Sequence, residues 1–209
     1  MKYAVIIFHK NIKSYPKRWI EKCFGSIRNQ TRRDFDVFEI DYGGTENQAY
    51  EGSIFESKPL PTHAHAHNYL LDKVFSMGYD YIFNTNVDDF YSPERFEKQL
   101  AYIHTTKARF DMVSSNFYNV DENDNVTRSL KFNHLNIAHH FSRGHNIIAH
   151  PACCYSKRFW ESCSKLNPLE IPIDDFELWR RSIRKGANFY ILPDFLLYYR
   201  VHKNKICNQ

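Results

Sequence analysis

Three short stretches of this chain carry side chains that could do chemistry together. The first is Asn86-Val87-Asp88-Asp89, which directly follows an apolar segment. Two adjacent carboxylates at the carboxyl end of a strand repel one another unless a cation or hydrogen bonds offset their charge. A divalent cation holding a diphosphate is a natural partner, although the same residues also suit a turn and a helix cap. The second is Asp174-Asp175, at the head of a segment whose apolar stripe is Phe176, Trp179 and Ile183. One acid suits the helix N-cap, which is assigned to Asp174, and Asp175 is then left to face a cleft as a general base. The third is Tyr198-Tyr199-Arg200-Val201-His202, where strand alternation puts Tyr198, Arg200 and His202 on one face.

The run His63-Ala64-His65-Ala66-His67 adds three imidazoles. On a strand they would share a face and suit zinc. The run follows Pro59-Leu60-Pro61 and leads into a helical pattern, so a period of two is not expected to hold. His67, with His65 beside it, is read instead as a cleft residue.

Positioning these groups requires alternating strands and helices. Tyr3–Phe8 is a continuous apolar run, as in a strand buried on both faces. Ile20, Cys23, Phe24 and Ile27 recur at helical spacing after Pro16. Asp36–Asp41 reads as a second strand ending in the turn Tyr42-Gly43-Gly44. A polar loop to Thr62 leads into a helix carrying Leu70, Leu71, Val74 and Phe75, and Tyr79–Phe83 is a third strand. Ser92-Pro93-Glu94 is expected to cap the next helix. This order predicts an α/β fold with a mostly parallel central sheet flanked by helices, and ligands at the carboxyl ends of its strands. Later, Asp121–Asn125 reads as a hairpin tip. Ser156–Leu166 and Asp175–Lys185 read as helices, the second closed by Gly186, and Asn188–Leu192 and Phe195–Val201 as strands.

The 209 residues fit one domain, residues 1–209, with a ligand-binding half to residue 110 and a mixed α+β half from 111. The net charge of +4, from 28 basic and 24 acidic residues, argues against nucleic acid as a partner. Five cysteines, two of them adjacent and none in C-x-x-C, argue for a reducing, cytoplasmic setting. No apolar run approaches a membrane span, which leaves contact with a membrane surface open. The aromatic share is 16%, and most of those rings are expected to build the core.

Taken in order, these motifs resemble the inverting glycosyltransferase family 2, of the GT-A fold. The resemblance runs from Tyr3 to about Lys205. Ser26-Ile27-Arg28-Asn29-Gln30-Thr31 is similar to the family's S-I-x-x-Q-T, and Asn86-Val87-Asp88-Asp89 to its D-x-D-D. Asp174-Asp175 is similar to its E-D pair, and Tyr199-Arg200-Val201-His202 to its Y-R-x-H. The resemblance implies a metal-dependent transfer of a sugar from a nucleotide-diphosphate sugar to a hydroxyl of a glycan or glycoconjugate. It further implies that Asp41 contacts the nucleoside, that Asp88 and His202 hold Mn²⁺ or Mg²⁺, and that Asp175 is the base. His67, Asn86, Trp179 and Arg180 would help hold or shape the donor site. Tyr42, Asn86 and His67 depart from the family pattern at positions that normally carry Asp, Asp and Arg, so UDP is a default nucleotide only. His150-Pro151-Ala152-Cys153-Cys154 is similar to an acceptor-side segment, and it also suits a buried turn with inert thiols.

Rival readings are a domain of the same fold that only binds glycans or a partner, a histidine-based metallohydrolase, and a nucleotidyltransferase. The last usually carries a Gly-rich loop after the first strand, and Phe8-His9-Lys10-Asn11 is not one.

Overall fold

The computed structural model describes residues 1–107, 110–163, 165–170 and 173–203. Cys207 and Lys205 lie outside the described residues, as does Ser164 within the expected Ser156–Leu166 helix. The first strand, β1 (Tyr3–His9), is almost wholly buried because it is central. It pairs in parallel with β2 (Asp36–Asp41) on one side and with β4 (Tyr81–Asn84) on the other, while β3 (Ile54–Ser57) extends the parallel set beyond β2. Between them run α1 (Lys17–Arg28) and α2 (His63–Ser76). Each helix lays its apolar stripe on one face of the sheet, with Cys23, Phe24 and Ile27 on one side and Leu70, Leu71 and Val74 on the other.

Beyond β4 the pairing is mixed. After the short β5 (Phe90–Tyr91) and α3 (Arg95–Thr105), β6 (Met112–Val120) and β7 (Val126–Leu130) form the expected hairpin around Asp121–Asn125. Asp121 Oδ1 accepts the N–H groups of Asn123 and Asn125, which fixes that tip. After α4 (Ile137–Ser142), β8 (Cys154–Ser156) joins β4 to β6, antiparallel to both. The chain continues through α5 (Lys157–Cys163) and α6 (Asp174–Arg184) into β9 (Phe189–Arg200), which is parallel to β6 and antiparallel to β5. Among the described residues the order across the sheet is β3-β2-β1-β4-β8-β6-β9-β5, with β7 off β6. The α/β class holds. Parallel pairing runs through β3-β2-β1-β4 and returns between β6 and β9, and one sheet holds strands from both halves.

Three local readings are corrected. The two expected final strands are one, because the chain passes through Pro193 without leaving the sheet. Proline offers no N–H to the ladder, and the register shifts beside Asn116, whose side-chain amide donates to Pro193 O at 3.1 Å. Ser92 does not cap α3 with its side chain; its carbonyl accepts from Arg95 N–H and from the amide of buried Gln30. Gln30 also donates to Ser26 O and accepts Phe96 N–H, so the motif at residues 26–31 ties α1 to α3. Asp174 does not cap α6 either: it is the first residue of that helix, and Ile173 occupies the cap position.

Candidate functional site

A cleft of about 1040 Å³ opens where the carboxyl ends of β1 and β4 meet the N-termini of α2 and α6 and the end of β9. Asn86, Val87, Asp88, Asp174, Asp175 and His202 all line it, although they are separated by up to 116 positions in sequence. Aromatic rings from Tyr15, Trp19 and Tyr42 complete the wall.

The segment after β4 shows how the fold offsets the charge of its acidic pair. Asp89 is fully buried; its Oδ1 accepts Arg200 N–H at 2.7 Å and its Oδ2 accepts from the Asn86 amide at 3.3 Å. Arg200, buried at the end of β9, donates Nε–H to Asp88 O at 2.9 Å and lies over the Trp19 ring at 4.7 Å. One carboxylate and the arginine therefore fasten β9 to the turn. Asp88 remains at the cleft wall, and His202 Nε2 stands 3.0 Å from its Oδ2. The pairing of these two groups came from the resemblance, and the fold brings them together. Asn86 is spent on its own turn as well as lining the cleft, since its N–H donates to the Tyr91 hydroxyl at 2.8 Å.

Asp88 and His202 fit a hard divalent cation in type: one carboxylate oxygen and one imidazole nitrogen, adjacent and open to the cleft. Among the described residues no group of three or more His, Cys, Asp or Glu could hold a metal ion. Two protein donors are fewer than the coordination shell of a divalent cation takes.

Across the cleft, Asp175 Oδ1 accepts the Phe176 N–H at 2.6 Å, and the Asn146 amide lies 3.5 Å from Oδ2. Burial first, then the charge of neighbouring Asp174, pushes its carboxyl from 3.8 up to about 7. Such a group is poised to exchange a proton near neutrality. Asp174 Oδ2 lies 2.8 Å from His63 Nε2 instead of serving the helix backbone.

Asp41, His67, Trp179 and Arg180 do not line the cleft. Asp41 is fully buried. Burial works against its charge, but the Thr45 hydroxyl and the N–H groups of Gly43, Thr45 and Asn47 hold its carboxyl below the ordinary value. It builds the turn that presents Tyr42. A side chain at Gly43 would collide with Lys10 O at 1.9 Å, and Gly44 has φ of +70°. Trp179 is fully buried, edge-on to His150 and Phe189, and Arg180 is exposed over Phe176. His67 is fully buried among Phe8, His150, Tyr155 and Trp160, and burial takes its pKa down to about 3. His65 turns its ring to the Thr62 hydroxyl, 2.8 Å away. The helix period separates the run: His63 faces the cleft, and His67, one turn on, lies beneath it.

Tyr15, Trp19, Tyr42 and His63 were not read as site residues. The usable signal was positional, because the turn and helix that follow a strand stand at its carboxyl end.

No known protein-family model matches the chain. A Haemophilus influenzae protein named a glycosyltransferase is 30% identical over 211 residues, covering 96% of this chain and 76% of the relative. The Escherichia coli O-antigen biosynthesis glycosyltransferase WbnJ is 25% identical over 206 residues, covering 88% of this chain and 75% of its own length. Among solved structures, S. aureus TarS 1-349 in complex with UDP-GlcNAc superposes with a TM-score of 0.73 at 14% identity, over 99% of this chain. This chain spans 60% of that TarS chain. Among the described residues no helix is long and apolar enough to cross a membrane.

Proposed function

Because the chain belongs to the glycosyltransferases, we propose that it moves a sugar from a nucleotide-diphosphate sugar onto a hydroxyl of a glycan or glycoconjugate, with inversion, as glycosyltransferase family 2 enzymes do. The observation that carries this reading is one cleft lined both by Asp88 with His202 and by Asp175. One wall offers donors for a cation and a diphosphate, and the other a carboxyl poised to take a proton. UDP is the first nucleotide to test, since TarS has been crystallised with UDP and with UDP-GlcNAc.

In the proposed reaction Asp175 accepts the proton of the acceptor hydroxyl. That oxygen forms a bond to the anomeric carbon from the face opposite the nucleotide. The bond from that carbon to the diphosphate oxygen breaks, and its electron pair leaves with the nucleotide. Asp88 and His202 would hold Mn²⁺ or Mg²⁺, which supplies Lewis-acid stabilisation of the departing charge. Tyr15, Trp19 and Tyr42 offer apolar faces on which a base or sugar ring can stack. The half to residue 110 supplies most of the donor side, and the half from 111 most of the acceptor side.

The test is release of nucleotide diphosphate from a panel of nucleotide-sugars with Mn²⁺ and candidate glycan acceptors. The reading expects acceptor-dependent release for one donor, abolished by chelator. Donor binding without turnover across acceptors would favour a domain that only binds.

A further inference from the structure

Two helix N-termini meet in the wall of the cleft: α2 begins at His63 and α6 at Asp174. Asp174 is 4% exposed; among the described residues its Oδ2 makes no well-directed hydrogen bond, and the His63 ring nitrogen stands 2.8 Å from it as a close polar contact. His63 is itself mostly buried, with 16% of its side chain exposed, and it owes its place to the Thr62 cap that starts α2 one residue earlier. Asp175 is next in the chain, and two consecutive carboxylates in one wall repel each other.

We propose that His63 is a positioning residue of the transfer reaction: its contact with Asp174 Oδ2 holds the first carboxylate of the pair away from the second, and leaves Asp175 as the one that meets the acceptor hydroxyl. This rests on reading Asp175 as the base.

The surroundings single out that contact. From α6, Asp174 raises the Asp175 carboxyl; from α2, the His63 ring lowers it, as do the Phe176 N–H and the Asn146 amide. The Cys153 thiol and the Tyr155 hydroxyl also face Asp175, and burial pushes both up, so they are uncharged near neutrality. His67 and His150 lie behind His63 and Asp174, and burial pushes both down, so they are uncharged as well. Among these neighbours, Asp174 and His63 act on the Asp175 carboxyl in opposite directions. The histidine run thereby divides its work: His63 serves the acidic pair, His65 the helix start, and His67 the core.

The experiment titrates the Asp carboxyl carbons by NMR in the full chain, with Asp175 assigned by Asp175→Asn. It compares wild type with His63→Phe, His63→Gln, Asp174→Asn and the His63→Phe/Asp174→Asn double variant, and it follows the pH profile of turnover in each. His63→Phe should move the Asp175 midpoint and the acidic limb of turnover upward by about half a pH unit, roughly a threefold loss on that limb, with donor KM little changed. His63→Gln, which still donates a hydrogen bond, should move them less, and it serves as the readout should His63→Phe not fold. Asp174→Asn should move them downward, and the phenylalanine should then add less than it does in wild type. An unmoved or lowered midpoint in His63→Phe, or an equal rise with and without Asp174, overturns the proposal. Because the titration needs neither donor nor acceptor, that result is separate from failure of the transfer reading, which an active Asp175→Asn would signal.

Discussion

Replacing Asp175 by asparagine should make the protein more stable and nearly inactive at once. The side chain keeps its shape, and its carbonyl oxygen can still accept the Phe176 N–H that Asp175 Oδ1 holds at 2.6 Å. What disappears is a charge in a buried wall beside another carboxylate. A carboxyl lifted from 3.8 to about 7 makes its ionised form costlier in the fold than in the unfolded chain, by up to about 4 kcal/mol. The folded pKa is the raised one, so this cost is absent below about pH 4, grows as pH rises towards 7, and is fully present above. Melting curves of Asp175→Asn and wild type should therefore coincide in acid and separate towards neutrality, with the variant melting several degrees higher. Transfer should fall by about 10²–10⁴-fold, the usual cost of losing a positioned base, while nucleotide affinity by calorimetry stays within a few-fold. In wild type, turnover should drop about tenfold per pH unit below the Asp175 midpoint. Asp174→Asn should keep most activity. If Asp174→Asn is dead and Asp175→Asn transfers normally, the pair is assigned backwards. If neither variant loses activity, the base lies elsewhere. If the acidic limb lies near pH 4, the burial argument fails.

Asp88→Ala, or chelator on wild type, should weaken nucleotide diphosphate binding by at least about tenfold, because diphosphate oxygens would complete the shell that Asp88 and His202 begin; equal affinity with and without metal refutes it. Glu39→Ala should cost about 3–5 kcal/mol, read as a large fall in melting temperature, because buried Glu39 accepts from His9 at 2.9 Å, from the N–H groups of Ala49 and Tyr50, and from Ser53. Burial opposes the Glu39 charge but these donors hold its carboxyl below 4.5, so the stabilisation is present above that pH and lost in stronger acid. His67, held uncharged, should make the protein lose stability as pH falls from about 6.5 towards 3, and His67→Phe should flatten that slope in acid melting series.

Apart from β3, which lies in a stretch read as a polar loop, the main strands and helices of the first half were legible because their signals are local. A short unbroken apolar run rich in β-branched and aromatic residues suits a central strand, and Asp36–Asp41 begins and ends where its sequence punctuation says. The shortest strands and the second half were less so. β8 has three residues and β5 two, too short for any periodicity, and their existence depends on edges that other strands supply. Pro193 looked like a strand boundary because its missing N–H is local, while the pairing that carries the chain past it is not. At the site, residue types at strand ends predicted which segments meet, but not which atoms remain for chemistry. Trp179 and His67 sit on the helices that form the cleft, yet helix rotation turns both into the core.

Both acidic pairs obey one rule that sequence could not display. In each, one carboxylate is anchored by a residue distant in sequence, and the other meets a different partner in the cleft wall. Asp89 accepts the backbone N–H of Arg200, 111 positions away, and that bond brings His202 to Asp88. Asp174 meets His63, likewise 111 positions away, and Asp175 stays beside Asn146 at the opposite wall. The anchored acid does for each pair what a lone carboxylate could not: it ties together two segments distant in sequence beside the cleft, so that its neighbour is held in a fixed direction before any ligand arrives. Preorganisation of this kind is where a site saves reorganisation during the reaction. It also explains why an adjacent pair, electrostatically unfavourable in isolation, is used twice in one cleft. Truncating the anchored side chain to alanine, unlike its isosteric replacement by asparagine, should therefore disturb the position of its neighbour, and substituting the cleft member should remove chemistry while leaving the fold in place.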